Sequence, residues 1–234
     1  MLSGKEREAL LKLYGGLRVA DVRDGMDWNG YHGFGTVDME VRPLWRTRAV
    51  GIARTVRYLP YRGPAPLERG DAYTEWSNWY YGNVCTYPWI KEIEPGDFVM
   101  IDLSRQPVGL MGSNNGLEVK NQGAAGFATN GGARDTDELI LQQVPVWLRY
   151  TTQPMVQARL QFESTQQPIA FEGVQVRPGD MVVADNDGIV VVPLEAAEDV
   201  ARYAWRELRS DKAGRRKLYE KAGLELDETV LDQD

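Results

Sequence analysis

The chain has 234 residues, enough for one large domain or two small ones, and 43% hydrophobic content supplies a packed core without disulfide staples. Its formal charge of −7, from 27 Lys and Arg against 34 Asp and Glu, argues against nucleic acid as the main partner, because phosphate binding needs a basic face. A single Cys (Cys85) and a single His (His32) exclude an internal disulfide and a Cys/His zinc cluster, so acid–base or metal chemistry must rest mainly on carboxylates, Arg, Tyr and water.

No apolar run approaches the roughly 18 residues of a membrane span. The opening "MLSGKEREALLKLYGG" carries charges where a signal peptide needs its apolar stretch. The expectation is a cytoplasmic protein with no membrane partner. "SGKE" at 3–6 has the form of a capping box, with Ser3 accepting from the first turn and Glu6 reaching back, and it opens a helix that Gly15-Gly16 should stop. A second helix is expected over 21–26. Residues 48–60, "RAVGIARTVRYLP", are β-branched and alternating, which predicts a strand ending at Pro60.

The segment "AYTEWSNWYYGNVCTYPW" (72–89) is unusually aromatic. Tyr73, Trp76 and Tyr80 fall on one helical stripe with Trp79 beside them, which reads as a core or subunit-contact face. The sharper alternative makes Trp76, Trp79 and Tyr80 the wall of a substrate pocket. Cys85 reads as an inert buried thiol and His32 as a loop residue, with a Cys85–His32 dyad as the less favoured alternative.

Beyond this point strands and helices alternate. A strand is expected at 97–102, a helix at 115–123 ending on Gly123, a short buried strand at 124–129, a helix at 135–143 and a strand at 144–150. This βαβ series implies parallel pairing. The period then changes to two over "ARLQFESTQQPIAFEGVQV". "MVVADNDGIVVVP" reads as two apolar strands joined through Asn186-Asp187-Gly188, a hairpin signal. Pro-Gly-Asp precedes an apolar strand twice, at 95–97 and 178–180. From Leu194 a helix carries Ala197, Val200, Ala201, Ala204 and Leu208 on one face. The basic run at 206–221 is interleaved with acids and reads as its solvated side. The acidic tail "LELDETVLDQD" is expected to be mobile. With no internal linker, residues 1–234 form a single domain with a core over 18–205, followed by a C-terminal helix and tail over 194–234.

The stretch "GSNNGLEVKNQGAAGFATNGGARD" (112–135) holds the candidate chemistry. A Gly- and Asn-rich turn opens a helix, a short strand follows, and a second glycine turn presents Arg134 and Asp135. In a βαβ unit both turns lie at the same end of the sheet and would face one cleft. The first offers backbone N–H groups at a helix N-terminus, suited to a carboxylate. Arg134 adds a planar charged fork, and Asp135 offers oxygen to a hard divalent cation. The architectural alternative is that Asp135, in "DTDE", only caps the following helix. Lys120 reads as a surface helix residue rather than a Schiff-base former.

The spacing of Gly112, Gly123, Gly126, Gly131, Arg134 and Asp135, together with the hairpin "PGDMVVADNDGIVVVP", resembles the RraA-like family. That family includes the regulator of ribonuclease E activity and divalent-metal-dependent 4-hydroxy-4-methyl-2-oxoglutarate aldolases. "DVRDGMD" and "RPLWRTRAVGIARTV" resemble its N-terminal blocks more loosely, and the likeness covers roughly residues 18–205. The resemblance implies an α/β fold, a three-layer swivelling β/β/α domain, assembled as a homotrimer or hexamer with clefts between subunits. It implies that Asp135 anchors Mg2+ or Mn2+ and that Arg134 contacts a small carboxylate substrate. Backbone amides of Ser113, Asn114, Asn115 and Gly116 would receive the carboxylate of a 2-oxo acid.

The chain departs from the pattern in three places. The aldolases carry an acidic residue 21 positions before the Arg, where this chain has Ser113, and a hydroxyl cannot replace a carboxylate in holding metal-bound waters. Asn130 stands where Asp is frequent, and the aromatic 72–89 segment replaces a plainer helix. Whether Glu118, one helical turn past Ser113, reaches the site is open at this stage. The reading is a metal-dependent lyase acting on a 2-oxo or hydroxy acid by retro-aldol cleavage, decarboxylation or elimination. The competing reading is a non-catalytic binding or regulatory protein.

Overall fold

A computed structural model describes residues 2–231. In chain order the elements are α1 (Gly4–Tyr14), α2 (Val19–Trp28), β1 (Arg42–Pro43), β2 (Ala49–Pro60), α3 (Asp71–Asn83), β3 (Asp97–Asp102), β4 (Gly109–Met111), α4 (Ser113–Asn121), β5 (Gly126–Ala133), α5 (Thr136–Leu141), β6 (Val146–Thr151), β7 (Leu160–Thr165), β8 (Ile169–Phe171), β9 (Val174–Val176), β10 (Met181–Asp185), β11 (Gly188–Val192) and α6 (Ala197–Ala222). Among the described residues, no helix is long and apolar enough to cross a membrane.

The capping box at Ser3 forms as its sequence dictates: Glu6 Oε2 accepts from the Ser3 amide at 2.7 Å while Ser3 Oγ accepts from the Glu6 amide. The second helix starts two residues earlier than expected. Asp21 is not its first residue but its third, where the carboxylate accepts from the Arg18 amide at 2.9 Å and grips the Arg18 guanidinium.

Nine strands form one mixed sheet in the order β1-β6-β5-β3-β2-β10-β11, and β4 and β7 branch from β5 and β2 to curl it toward a barrel. Pairings among β2, β3, β4, β5 and β6 are parallel where they neighbour, as the βαβ series required. The hairpin β10–β11 is antiparallel, with Asp185 opposite Gly188 at its end. Both Pro-Gly-Asp turns are built alike. Gly96 and Gly179 take positive φ of 84° and 96°, and each Asp carboxylate accepts the amide three residues back.

The side chains of β10 divide two layers. Met181 and Val183 face α1, α2 and α6, while Val182 and Ala184 face the small sheet β8–β9. On α6 the stripe Ala197, Val200, Ala201, Ala204 and Leu208 is buried, and fully burying Val200 and Leu208 contributes roughly 1.5–3 kcal/mol each. The result is helices, a large sheet and a small sheet in succession, the β/β/α layering expected for the fold. A third apolar cluster, including Tyr80, Val119, Phe127 and Leu139, fills the space beneath α3, α4 and α5.

Two expectations are corrected. The glycines at 131 and 132 do not form a turn: β5 runs through them to Ala133. A Cβ on Gly131 would lie 2.5 Å from Leu103 Cδ1, and one on Gly132 would lie 2.9 Å from the Val108 carbonyl, so they serve close approach inside a sheet. The acidic tail is not free of the body over its described length. Val230 is buried, Arg215 donates to the Thr229 carbonyl, and Lys212 donates to that of Leu231. The remainder, 232–234, lies outside the described residues.

Candidate functional site

The strands β4 and β5 run parallel, so their C-terminal ends deliver two corners to one edge of the sheet. From β4 comes Gly112 and the first turn of α4; from β5 come Arg134 and Asp135. The corners touch. Asp135 Oδ2 accepts from the Ser113 amide at 3.2 Å and from Ser113 Oγ at 3.4 Å.

Asp135 is the residue before α5, yet its side chain makes no capping bond to that helix. It sits in the left-handed region at φ 51°, which Asp tolerates better than most side chains. This conformation turns the carboxylate away from α5 and toward the positive end of α4. The capping alternative is therefore overturned for the side chain. Arg134 Nη2 lies 3.8 Å from Asp135 Oδ1, and the aliphatic stem of Arg134 lies across Gly109. Both side chains are about one-third exposed, at 31% and 39%.

A cleft of about 240 Å3 opens over this couple, lined by Gly109–Gly112, Asn114, Asn115, Arg134, Asp135, Tyr81, Tyr87 and Met155. Larger hollows exist on the molecule, but this one gathers a guanidinium, a carboxylate and an open helix N-terminus. The first intrahelical bond of α4 runs from the Gly116 amide to the Gly112 carbonyl at 2.8 Å. The amides of Asn114 and Asn115 precede that bond and have no intrahelical acceptor. Gly116 itself is buried, with Leu139 packed against its α-carbon, so its amide is not open to the cleft. Asn115 Nδ2 donates to the Leu110 carbonyl at 3.3 Å.

The aromatic segment does wall the cleft, but not through the stripe singled out by spacing. Tyr80 is fully buried, its hydroxyl donating to the Val156 and Leu160 carbonyls, and Trp76 stacks on it with ring centroids 5.0 Å apart. Trp79 is about half exposed and lies outside the cleft. The walls are Tyr81 and Tyr87. Burial pushes both phenols up; at Tyr81 the positive charge of Arg134 pulls the other way. Met155, which joins Gly109 through an isolated bridge, gave no sequence signal at all.

Other candidates fall away from the site. Cys85 is buried, and burial pushes its thiol up to about 12, while His32 is exposed and sits 3.4 Å from Asp27. Asn130 is not a site residue: its amide group accepts from the Leu103 amide and donates to Asp102, tying β5 to the end of β3. Glu118 is exposed and does not line the cleft. Lys120 donates to the carbonyls of Gln142 and Gln143, closing the end of α5. Among the described residues no three His, Cys, Asp or Glu side chains gather as a metal cluster. A single carboxylate in an open cleft nonetheless suits a hard ion such as Mg2+, which keeps several waters and takes one or two protein carboxylates plus substrate oxygens.

Fold and cleft together define an α/β protein in which a guanidinium, a carboxylate and a helix N-terminus meet at the end of parallel strands. The chain belongs to the RraA-like family, Aldolase/RraA, which it matches over residues 19–191. It is 29% identical over 202 residues to a Halalkalibacterium halodurans protein whose name carries the provisional assignment 4-hydroxy-4-methyl-2-oxoglutarate aldolase; the match spans 86% of this chain and 82% of that one. An uncharacterized protein from Pseudomonas syringae superposes with a TM-score of 0.73 at 23% identity, over 96% of this chain and 98% of that chain. Streptomyces coelicolor RraAS2, described as an unusual member of the RNase ES inhibitor RraA family, superposes with a TM-score of 0.72 at 24% identity, over 92% and 97%. At these identities the two structures speak for the fold alone.

Proposed function

We infer that the chain is a divalent-metal-dependent lyase acting on a small 2-oxo or hydroxy acid. The observation that carries this reading is the direct meeting of Asp135 with the N-terminus of α4 beside an Arg134 fork that has no other carboxylate within 4 Å among the described residues. In this reading the Asn114 and Asn115 amides bind the substrate carboxylate, with the positive end of the helix favouring its charge. Arg134 donates to the oxygen on which negative charge grows as a bond to the neighbouring carbon breaks. Asp135 holds Mg2+ or Mn2+, which supplies Lewis-acid stabilisation of that charge when bound. Ser113 holds Asp135 in place through its amide and hydroxyl rather than contributing a second negative charge. Tyr81, Tyr87 and Met155 shape the space beyond the reacting carbons and exclude water from it.

The working form is a homotrimer or hexamer, in which a neighbouring subunit would enlarge a cleft smaller than the roughly 300 Å3 of ordinary ligand sites. The test is incubation with a panel of 2-oxo and hydroxy acids, with Mg2+ or with EDTA, following pyruvate and carbon dioxide. Metal-dependent product that disappears in Asp135→Asn supports the reading; Asn tolerates the same left-handed backbone, so the loss reports on charge. Turnover indifferent to chelator and to Asp135→Asn would refute it. Absence of turnover across the panel, with a protein partner captured instead, would favour a non-catalytic regulator.

A further inference from the structure

A second hollow, of about 450 Å3, opens where the start of α2, the residues leading into β2 and the middle of α6 meet, and it shares no residue with the cleft. Arg18, Arg48, Arg209, Lys212 and Arg215 line it, with Trp205 as an apolar wall. Its size falls within the roughly 300–1,000 Å3 of small-molecule sites.

Two of the five cations are paired with carboxylates and three are not. Arg18 is gripped by Asp21 through two nitrogens, and Arg215 lies 3.5 Å from Asp211. Arg48, Arg209 and Lys212 have no carboxylate within 4 Å among the described residues. Arg48 and Lys212 donate instead to the carbonyls of Leu17 and Leu231, and Arg209 lies over the Trp205 ring at 5.9 Å. A carbonyl satisfies an N–H but carries no net charge. Glu228 is the one carboxylate in the lining, against five cations, in a chain whose net charge is −7. Burial, with a smaller contribution from Arg18, holds the Arg48 guanidinium below its ordinary value despite Asp185 and Asp21. An entering anion would relieve that cost.

We propose that this hollow binds a small, multiply charged oxyanion, a phosphate ester or compact polycarboxylate, with Arg48, Arg209 and Lys212 as charge partners and Trp205 as its wall. Guanidinium forks match the paired oxygens of both chemistries. A nucleic-acid track is disfavoured, because Asp199, Glu207 and Asp211 interrupt the basic residues along α6.

The experiment is calorimetric titration of the full chain, without added metal, with pyrophosphate and, separately, with propane-1,2,3-tricarboxylate, which has neither the hydroxyl nor the oxo group that the cleft is proposed to use, at ionic strength held constant with KCl. Saturable binding of either anion is expected, and which one binds identifies the source of the charge. Affinity should fall about tenfold or more in Arg209→Ala and in Lys212→Ala, as loss of a charge-assisted hydrogen bond requires, while Arg134→Ala leaves it unchanged. Three results would overturn the proposal. Neither anion binds better than KCl alone accounts for; Arg134→Ala removes binding and Arg209→Ala does not; or binding is seen only in a chain shortened to end at Leu231, which would assign the hollow to the chain's own last carboxylates.

Discussion

Gly112 offers a way to move the Asp135 carboxylate without changing its chemistry. A Cβ added at this position would stand 2.5 Å from Asp135 Oδ2, whereas ordinary contact begins near 3.4 Å. The carboxylate must therefore withdraw by about 0.9 Å, and misplacements of about that size cost on the order of 100-fold in rate. The backbone at Gly112 is extended, at φ −153° and ψ −167°, so alanine adds no backbone strain there. Loss of the contact to the Ser113 amide is offset by the roughly 0.4–1 kcal/mol that Gly→Ala contributes through the unfolded chain. Net stability should change by less than about 1 kcal/mol. Turnover of the best substrate in the panel should fall about 100-fold in Gly112→Ala, with Mn2+ affinity falling alongside it and the thermal midpoint near that of the native chain. Native turnover and native Mn2+ affinity in a folded Gly112→Ala protein would refute the placement of the chemistry on Asp135.

Other outcomes are expected from the same coordinates. Asp97 is buried and accepts from Arg7 at 2.8 Å, Arg54 at 2.6 Å and the Glu94 amide at 2.9 Å; Asp97→Ala leaves the buried Arg54 with only the half-exposed Glu92 carboxylate, 3.5 Å away, and should cost about 3 kcal/mol in urea unfolding. Cys85, with its thiol raised from an ordinary value of 9.0 to about 12 by burial, should resist thiol reagents at pH 8 until the chain unfolds. Because the unfolded thiol loses its proton first, Cys85 should make stability fall as pH rises from about 9 toward 12; the phenols of Tyr58, Tyr80, Tyr81 and Tyr87, raised by burial, act in the same direction above about 10, so Cys85→Ala should shallow the slope most between pH 9 and 10. Light scattering should give the mass of three or six chains; a monomer that retains full turnover would remove the need for a subunit interface at the cleft.

The parts of the fold that local chemistry decides were readable in advance. Ser3 and Glu6 form their reciprocal pair, the hairpin closes with Asp185 opposite Gly188, and the five small and apolar residues from Ala197 to Leu208 are all buried. Close approach was not readable. Gly131-Gly132 has the signature of a turn, and only the Leu103 side chain and the Val108 carbonyl, brought in from distant positions, show why the pair belongs in a strand. The spacing of Tyr73, Trp76 and Tyr80 identified a stripe that is buried at Tyr80 and half-buried at Tyr73 and Trp76, but the residues that reach the cleft, Tyr81 and Tyr87, lie off that stripe. Asp135 had the sequence of a cap, and its left-handed backbone sends the carboxylate elsewhere.

The squeeze around Gly131 and Gly132 has a consequence for how this protein could acquire new substrates. The rail that carries the guanidinium and the carboxylate to the rim is hemmed in on both sides, so almost any enlargement there would derail it. The opposite bank is assembled from separate pieces of chain, the end of α3 with the loop after it and the segment after β6. The Tyr81, Tyr87 and Met155 side chains are not among the nearest atoms that press on Gly131 and Gly132. On the proposed function, specificity and reactivity would be housed in parts that can evolve at different speeds, and laboratory selection aimed at residues 81, 87 and 155 is where altered substrate range should first emerge.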